Sequence, residues 1–179
     1  MSSVLSTPRT GLWSAGLVAL VLGGCLLIGC LEPLVAVAVI TAGALPLGRA
    51  LLLTVAVWLA GQAIGFGLHD YPRDAQTISW GVGLGVAALV SAVAAAPTLA
   101  ALTGKPIWLR AGAAFVVAFV ANQLVILGVE QVITGACTLR PGVISLVGAV
   151  NAGWLVALLT LDAALRRMSL SIPAFGRLA

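Results

Sequence analysis

Apolar residues run along this chain in long blocks separated by short polar breaks. Read as helices, the blocks give six candidate membrane spans: 11–30, 33–48, 50–68, 77–102, 112–133 and 142–165. Each approaches the roughly 20 residues that cover about 30 Å of hydrocarbon, except the second. That one has 16 residues, which rise only about 24 Å, and Pro46 threatens to end it sooner. It is either a short span or one of a re-entrant pair. The longest polar stretch is His69-Asp70-Tyr71-Pro72-Arg73-Asp74-Ala75-Gln76, so residues 1–179 read as a single transmembrane domain without a soluble appendage.

Composition sharpens this pattern. With 61% apolar residues and 21 glycines among 179, the chain far exceeds the roughly 45–50% apolar content of soluble domains. The expected fold class is therefore all-α, a polytopic transmembrane helix bundle. Basic residues set its orientation, because they collect at cytoplasmic span ends. Six spans place Arg9, Arg49, Lys105, Arg110, Arg166, Arg167 and Arg177 on one side and Arg73 and Arg140 on the other, a split of seven to two. A second segment that fails to cross alone reduces the split to six against three. The expected topology is six spans with both termini cytoplasmic in a bacterial inner membrane. The net charge of +4 then reflects topology and contact with anionic lipid, not a nucleic-acid surface.

The acids lie the opposite way: Glu32, Asp70, Asp74 and Glu130 fall near the outer face and Asp162 near the inner one. Asp162 and Arg166 are four apart, the spacing of an intrahelical ion pair. Arg9 followed by an apolar run and Leu22-Gly23-Gly24-Cys25 resembles a lipoprotein signal, but the run continues through Leu26-Leu27-Ile28, so an uncleaved first span is expected.

The segment Arg49–Asp70 aligns without gaps on Arg110–Gln131, with Arg49/Arg110 and Gln62/Gln123 the informative matches. This suggests a parallel repeat within three helical hairpins. Gly61-x-x-x-Gly65 and Gly81-x-x-x-Gly85 have the spacing that lets helices approach closely in lipid. They serve either packing inside the bundle or docking of another membrane subunit.

Catalytic and energy-coupling signatures are missing: there is no Walker A loop, nucleophile elbow, His-Glu-x-x-His, Cys-x-x-Cys or dinucleotide fingerprint. A non-enzymatic protein without cofactor is expected. What remains is polar and aromatic chemistry at membrane depth, where it is costly and normally faces the interior or a wet cavity. Trp58, Gln62 and His69 share one helical face, Gln123 and Glu130 are seven apart on another, and Asn151 and Trp154 are three apart on a third. Trp13, Trp80 and Trp108 sit where interfacial tryptophans belong, whereas Trp58 and Trp154 fall near span centres, where the indole N–H needs a partner. Two readings stand: the amides are interhelical glue, or Trp58, Gln62, His69, Gln123, Glu130, Asn151 and Trp154 line a solute pocket.

His69, the only histidine, lies in an outer loop beside Asp70 and Tyr71. With Glu32, Glu130, Cys30 and Cys137 on the same side it offers a metal cluster without diagnostic spacing. A disulfide between Cys30 and Cys137 is an open alternative, and Cys25 reads as a small buried hydrophobe.

The short-looped spans, cytoplasmic termini, small-residue spacings and polar groups of the outer half together give an architecture that resembles the six-helix substrate-binding S components of energy-coupling factor vitamin transporters. That resemblance implies capture of a vitamin-like small molecule from outside, with a partner membrane subunit and two ATPases supplying energy. The expected function is thus a membrane transport component for a small polar or aromatic solute. A structural subunit of a larger membrane complex and a divalent-metal permease are the alternatives.

Overall fold

The computed structural model describes residues 8–28, 33–133 and 140–167, and every regular element within them is an α-helix. These are α1 (Pro8–Ile28), α2 (Leu34–Ala44), α3 (Leu47–Leu68), α4 (Ala75–Ala101), α5 (Ile107–Val132) and α6 (Pro141–Arg167). Four of them, α3 to α6, are long and apolar enough to cross a membrane. Length and composition mark the chain as a helical membrane protein.

The second helix departs most from expectation. It has 11 residues instead of 16, ending at Ala44 where Leu45 turns extended ahead of Pro46. Proline locks its own φ and disfavours helix in the residue before it, so helix gives way to a sharp corner. Beyond that corner α3 begins at Leu47, three residues earlier than the sequence pattern implied. At 1.5 Å per residue α2 rises about 16 Å, roughly half the hydrocarbon thickness.

This short helix is the centre of the molecule. Leu34 to Thr41 are all buried, as are Gly43 and Ala44, and α3, α4, α5 and α6 all pack around it. A helix that is apolar on every side belongs inside, and α2 carries no polar side chain but Thr41. The Thr41 hydroxyl donates to the Val37 carbonyl at 2.8 Å and stands 3.5 Å from Thr54 of α3, whose own hydroxyl donates to Ala50 at 2.9 Å. The Thr41–Thr54 contact joins α2 to α3 across the corner.

An α-helix leaves its first N–H groups without partners, and hydrocarbon supplies none. At α2 the answer comes from α6. The Asn151 side-chain oxygen accepts from the backbone N–H groups of Val35 at 3.1 Å and Ala36 at 3.2 Å, while its amide donates to Val147 at 3.0 Å. Pro33 precedes the helix and has no N–H to satisfy. Asn151 is ten residues from the start of α6, so α2 begins about 15 Å below that end of the bundle.

The α4 helix is the other organiser. Gly81, Gly83, Gly85, Ala88, Ala92 and Ala95 form its buried face. An added Cβ at Gly85 would fall 2.6 Å from the Trp58 ring of α3, and one at Gly83 would fall 3.0 Å from Val129 of α5. Gly61 and Gly65 of α3 are buried too. Both glycine pairs therefore serve internal packing. Large apolar side chains such as Leu52, Val116, Leu124 and Val132 point outward, as a lipid-facing surface requires.

Within α3 and α5, Arg49 is exposed whereas Arg110 is buried, so the two arginines matched by sequence stand in different surroundings. Trp13, placed by sequence at the interface, is buried with Leu17 and Val21 on the α1 face that joins the core. Cys30, Glu32 and Cys137 lie outside the described residues, as does the side chain of Arg166 that would pair with Asp162.

The two α2 N–H groups held by Asn151 generate a stability test. Asn151→Leu leaves them without an acceptor and should destabilise the folded protein by about 1–3 kcal/mol. Gln123→Leu, which removes a half-buried amide elsewhere, should change stability by less than about 1 kcal/mol. Unfolding in detergent, followed by circular dichroism, measures both.

Candidate functional site

The seven polar and aromatic residues singled out by sequence occupy three surroundings. On α3, Trp58 and Gln62 do share a face, and that face is turned to α4. The Trp58 indole N–H donates to the Gly81 carbonyl at 2.8 Å. The Gln62 amide oxygen lies where a Cβ at Gly81 would be. The mid-membrane indole thus finds its partner in the backbone of a glycine stripe, which admits it because no side chain is in the way.

On α6, Asn151 is engaged with α2, and the Trp154 ring lies against Gly24 of α1, where a Cβ would collide with it. On α5, Gln123 and Glu130 are half-buried. The stripes therefore turn towards different neighbours: Trp58 and Gln62 to α4, Asn151 to α2, Trp154 to α1.

His69 is exposed at the end of α3, in a turn closed by its own backbone. Its N–H reaches the Ile64 carbonyl at 3.1 Å, and Tyr71 N–H reaches Gly65 at 3.1 Å. Asp70 between them adopts φ +49°, a left-handed geometry that Asp tolerates better than most residues. The Tyr71 ring stacks on His69 and meets Phe66 edge-on, both with centroids 6.1 Å apart, and it covers Gly65. Arg73 donates to the Phe66 carbonyl at 3.3 Å near the negative end of α3. Asp74 accepts from Thr77 N–H at 2.7 Å at the positive end of α4. Each charge sits at the helix end whose dipole favours it.

Other buried polar residues, Ser91, Asn122 and Arg110 among them, were not site candidates in the sequence. Ser91 of α4 donates to Ala87 at 2.7 Å and lies 3.3 Å from the Ala118 carbonyl of α5, and Asn122 donates to the Ser91 hydroxyl at 3.4 Å. Arg110, buried at the start of α5, donates to the Leu99 carbonyl in the last turn of α4 at 3.0 Å. The available signal was helical register: Asn122 shares a face with Ala111, Ala114, Ala118 and Ile126, all buried small or apolar residues, whereas Gln123 is rotated off it.

Among the described residues no three His, Cys, Asp or Glu side chains gather as metal ligands would. No protein-family model matches the chain, and no curated protein or solved structure matches it either.

The contact of Asn151 with the start of α2 lies ten residues, about 15 Å of helix, from the start of α6. Gln62 of α3 lies six residues from the end of its helix, and Glu130 of α5 within one turn of the end of its own.

The Asp74 cap carries a pH dependence. Its carboxyl is held below its ordinary 3.8, first by the Thr77 backbone hydrogen bond, then by the Thr77 side chain and Gln76 backbone. A lowered folded pKa contributes stability that is complete above 3.8 and disappears as pH falls through the lower folded value. Melting between pH 2 and 6 should show this acid-side loss in wild type. Asp74→Asn, which keeps the cap acceptor, should flatten the cap's share of it, and Asp74→Ala should lose the cap at every pH.

Proposed function

We propose that this protein is a non-enzymatic membrane transport component that captures a small polar or aromatic solute, vitamin-like in size, from the outer side of a bacterial inner membrane. The observation that supports this reading is the depth at which α2 begins. A central helix about half the hydrocarbon thickness in length, beginning about 15 Å from the start of α6, is the kind of interrupted helix at which transporter sites lie. In this reading Gln62, Gln123 and Glu130 give the solute hydrogen bonds and charge preference, with His69 at the rim, and Trp58, Asn151 and Trp154 hold the helices around it in place. Energy comes from partner subunits, since the chain carries no nucleotide-binding loop.

Orientation follows from charge. The α1–α2 pair contributes an even number of crossings whether it spans or re-enters, because Gly24 of α1 meets Trp154 one turn from Asn151, at nearly the depth where α2 starts. With α3 to α6 crossing, the seven-to-two division of basic residues is preserved in both cases. Both termini are then cytoplasmic. In a background without the native cysteines, an impermeant thiol reagent applied to intact cells should label Arg73→Cys and leave Lys105→Cys unlabelled until the membrane is opened.

Native mass spectrometry of gently extracted protein tests the capture reading. Wild type should carry a reproducible small-molecule adduct, and Gln62→Leu or Gln123→Leu should lower its occupancy at least tenfold while the protein remains folded. A clean unliganded mass found only in a fixed-ratio complex with other membrane proteins would replace capture with a structural role.

A further inference from the structure

At the opposite end of the bundle, α5 and α6 part. Phe119 of α5 packs on Gly148 of α6, with its ring 3.3 Å from where a Cβ would lie. From there towards the start of α5 and the end of α6 the two helices enclose a crevice of about 510 Å³. Ile107 and Trp108 form one wall, and Val156, Leu159, Thr160 and Ala163 form the other. The lining is chemically apolar even at Thr160, whose hydroxyl donates to Val156 of its own helix at 2.8 Å. The volume falls in the roughly 300–1,000 Å³ range of small-ligand sites.

The mouth has a different character. Lys105 is exposed in the α4–α5 turn two residues before Ile107, where Gly104 supplies the φ of +83° that the corner needs. The final residues of α6, directly beyond the crevice, are Arg166 and Arg167. Trp108 stands at the rim, 71% exposed, as an interfacial indole does. An apolar slot opening beside Lys105 and a helix end of basic sequence matches one occupant: a lipid with an apolar tail and an anionic head.

We infer that the α5–α6 crevice is a binding site for an anionic phospholipid, one acyl chain lying between the helices and the headgroup at Lys105 and the basic end of α6. The lining explains retention of the tail, which a neutral lipid shares. Discrimination comes from the charges at the mouth, each worth about a fivefold change in binding near an anionic headgroup. Arg110 takes no part in it, being buried against the Leu99 carbonyl. This site is separate from the start of α2 and stands or falls independently of solute capture.

The test uses full-length protein in detergent, offered an equal mixture of phosphatidylglycerol and phosphatidylcholine with the same acyl chains, and read by native mass spectrometry. Wild type should retain phosphatidylglycerol at least tenfold over phosphatidylcholine. Lys105→Gln should lower that preference about fivefold. Ala163→Trp, placed on an exposed position so that the indole fills the crevice, should abolish retention of both. As a second reading on unaltered protein, phosphatidylglycerol brominated on its acyl chain should quench a tryptophan component that Trp108→Phe removes. Equal retention of the two lipids, undiminished retention in Ala163→Trp, or a protein helix seated in the crevice instead of lipid would overturn the assignment.

Discussion

A helix that starts inside a membrane must find acceptors for its first N–H groups, and at α2 that need is met by one side chain, Asn151. Much else follows from this contact. It ties α6 to the centre of the bundle, fixes the depth at which α2 begins, and thereby determines how far the axis is filled. Its energetic weight comes from the surroundings. In water an unsatisfied amide is solvated, but in hydrocarbon or a packed core it carries its full desolvation cost.

The remaining polar side chains obey the same constraint at smaller scale. Thr41, Thr54, Ser91 and Thr160 return their hydroxyl protons to carbonyls one turn back on their own helices. Trp58 and Arg110 reach carbonyls on the neighbouring α4. The glycine and alanine face of α4 makes the Trp58 contact sterically feasible, since a Cβ at Gly85 or Gly81 would occupy the space the α3 side chains use. Association in lipid rests on such close approach and on interhelical hydrogen bonds more than on burial of apolar area.

The two ends of the bundle differ in chemistry. Gln62 and Glu130 lie in the last two turns of α3 and α5. The crevice between α5 and α6 is apolar, with Lys105 and a helix end of basic sequence beyond it.

The sequence alone determined that this is a helical membrane protein, because apolar runs of spanning length with 14 charged residues among 179 admit no other solvent. It also marked the residues with unmet needs: mid-span Trp58, Gln62 and Asn151 each require a hydrogen-bonding partner. Which partners Trp58 and Asn151 found was decided only in three dimensions, since periodicity assigns a residue to a helix face but does not say which helix lies opposite. For the same reason Ser91 and Asn122 passed unnoticed in runs rich in alanine and valine. The tertiary structure likewise decided that the shortest apolar segment is the most buried: hydropathy measures compatibility with an apolar environment, and lipid and protein interior are equally apolar to Val and Ala.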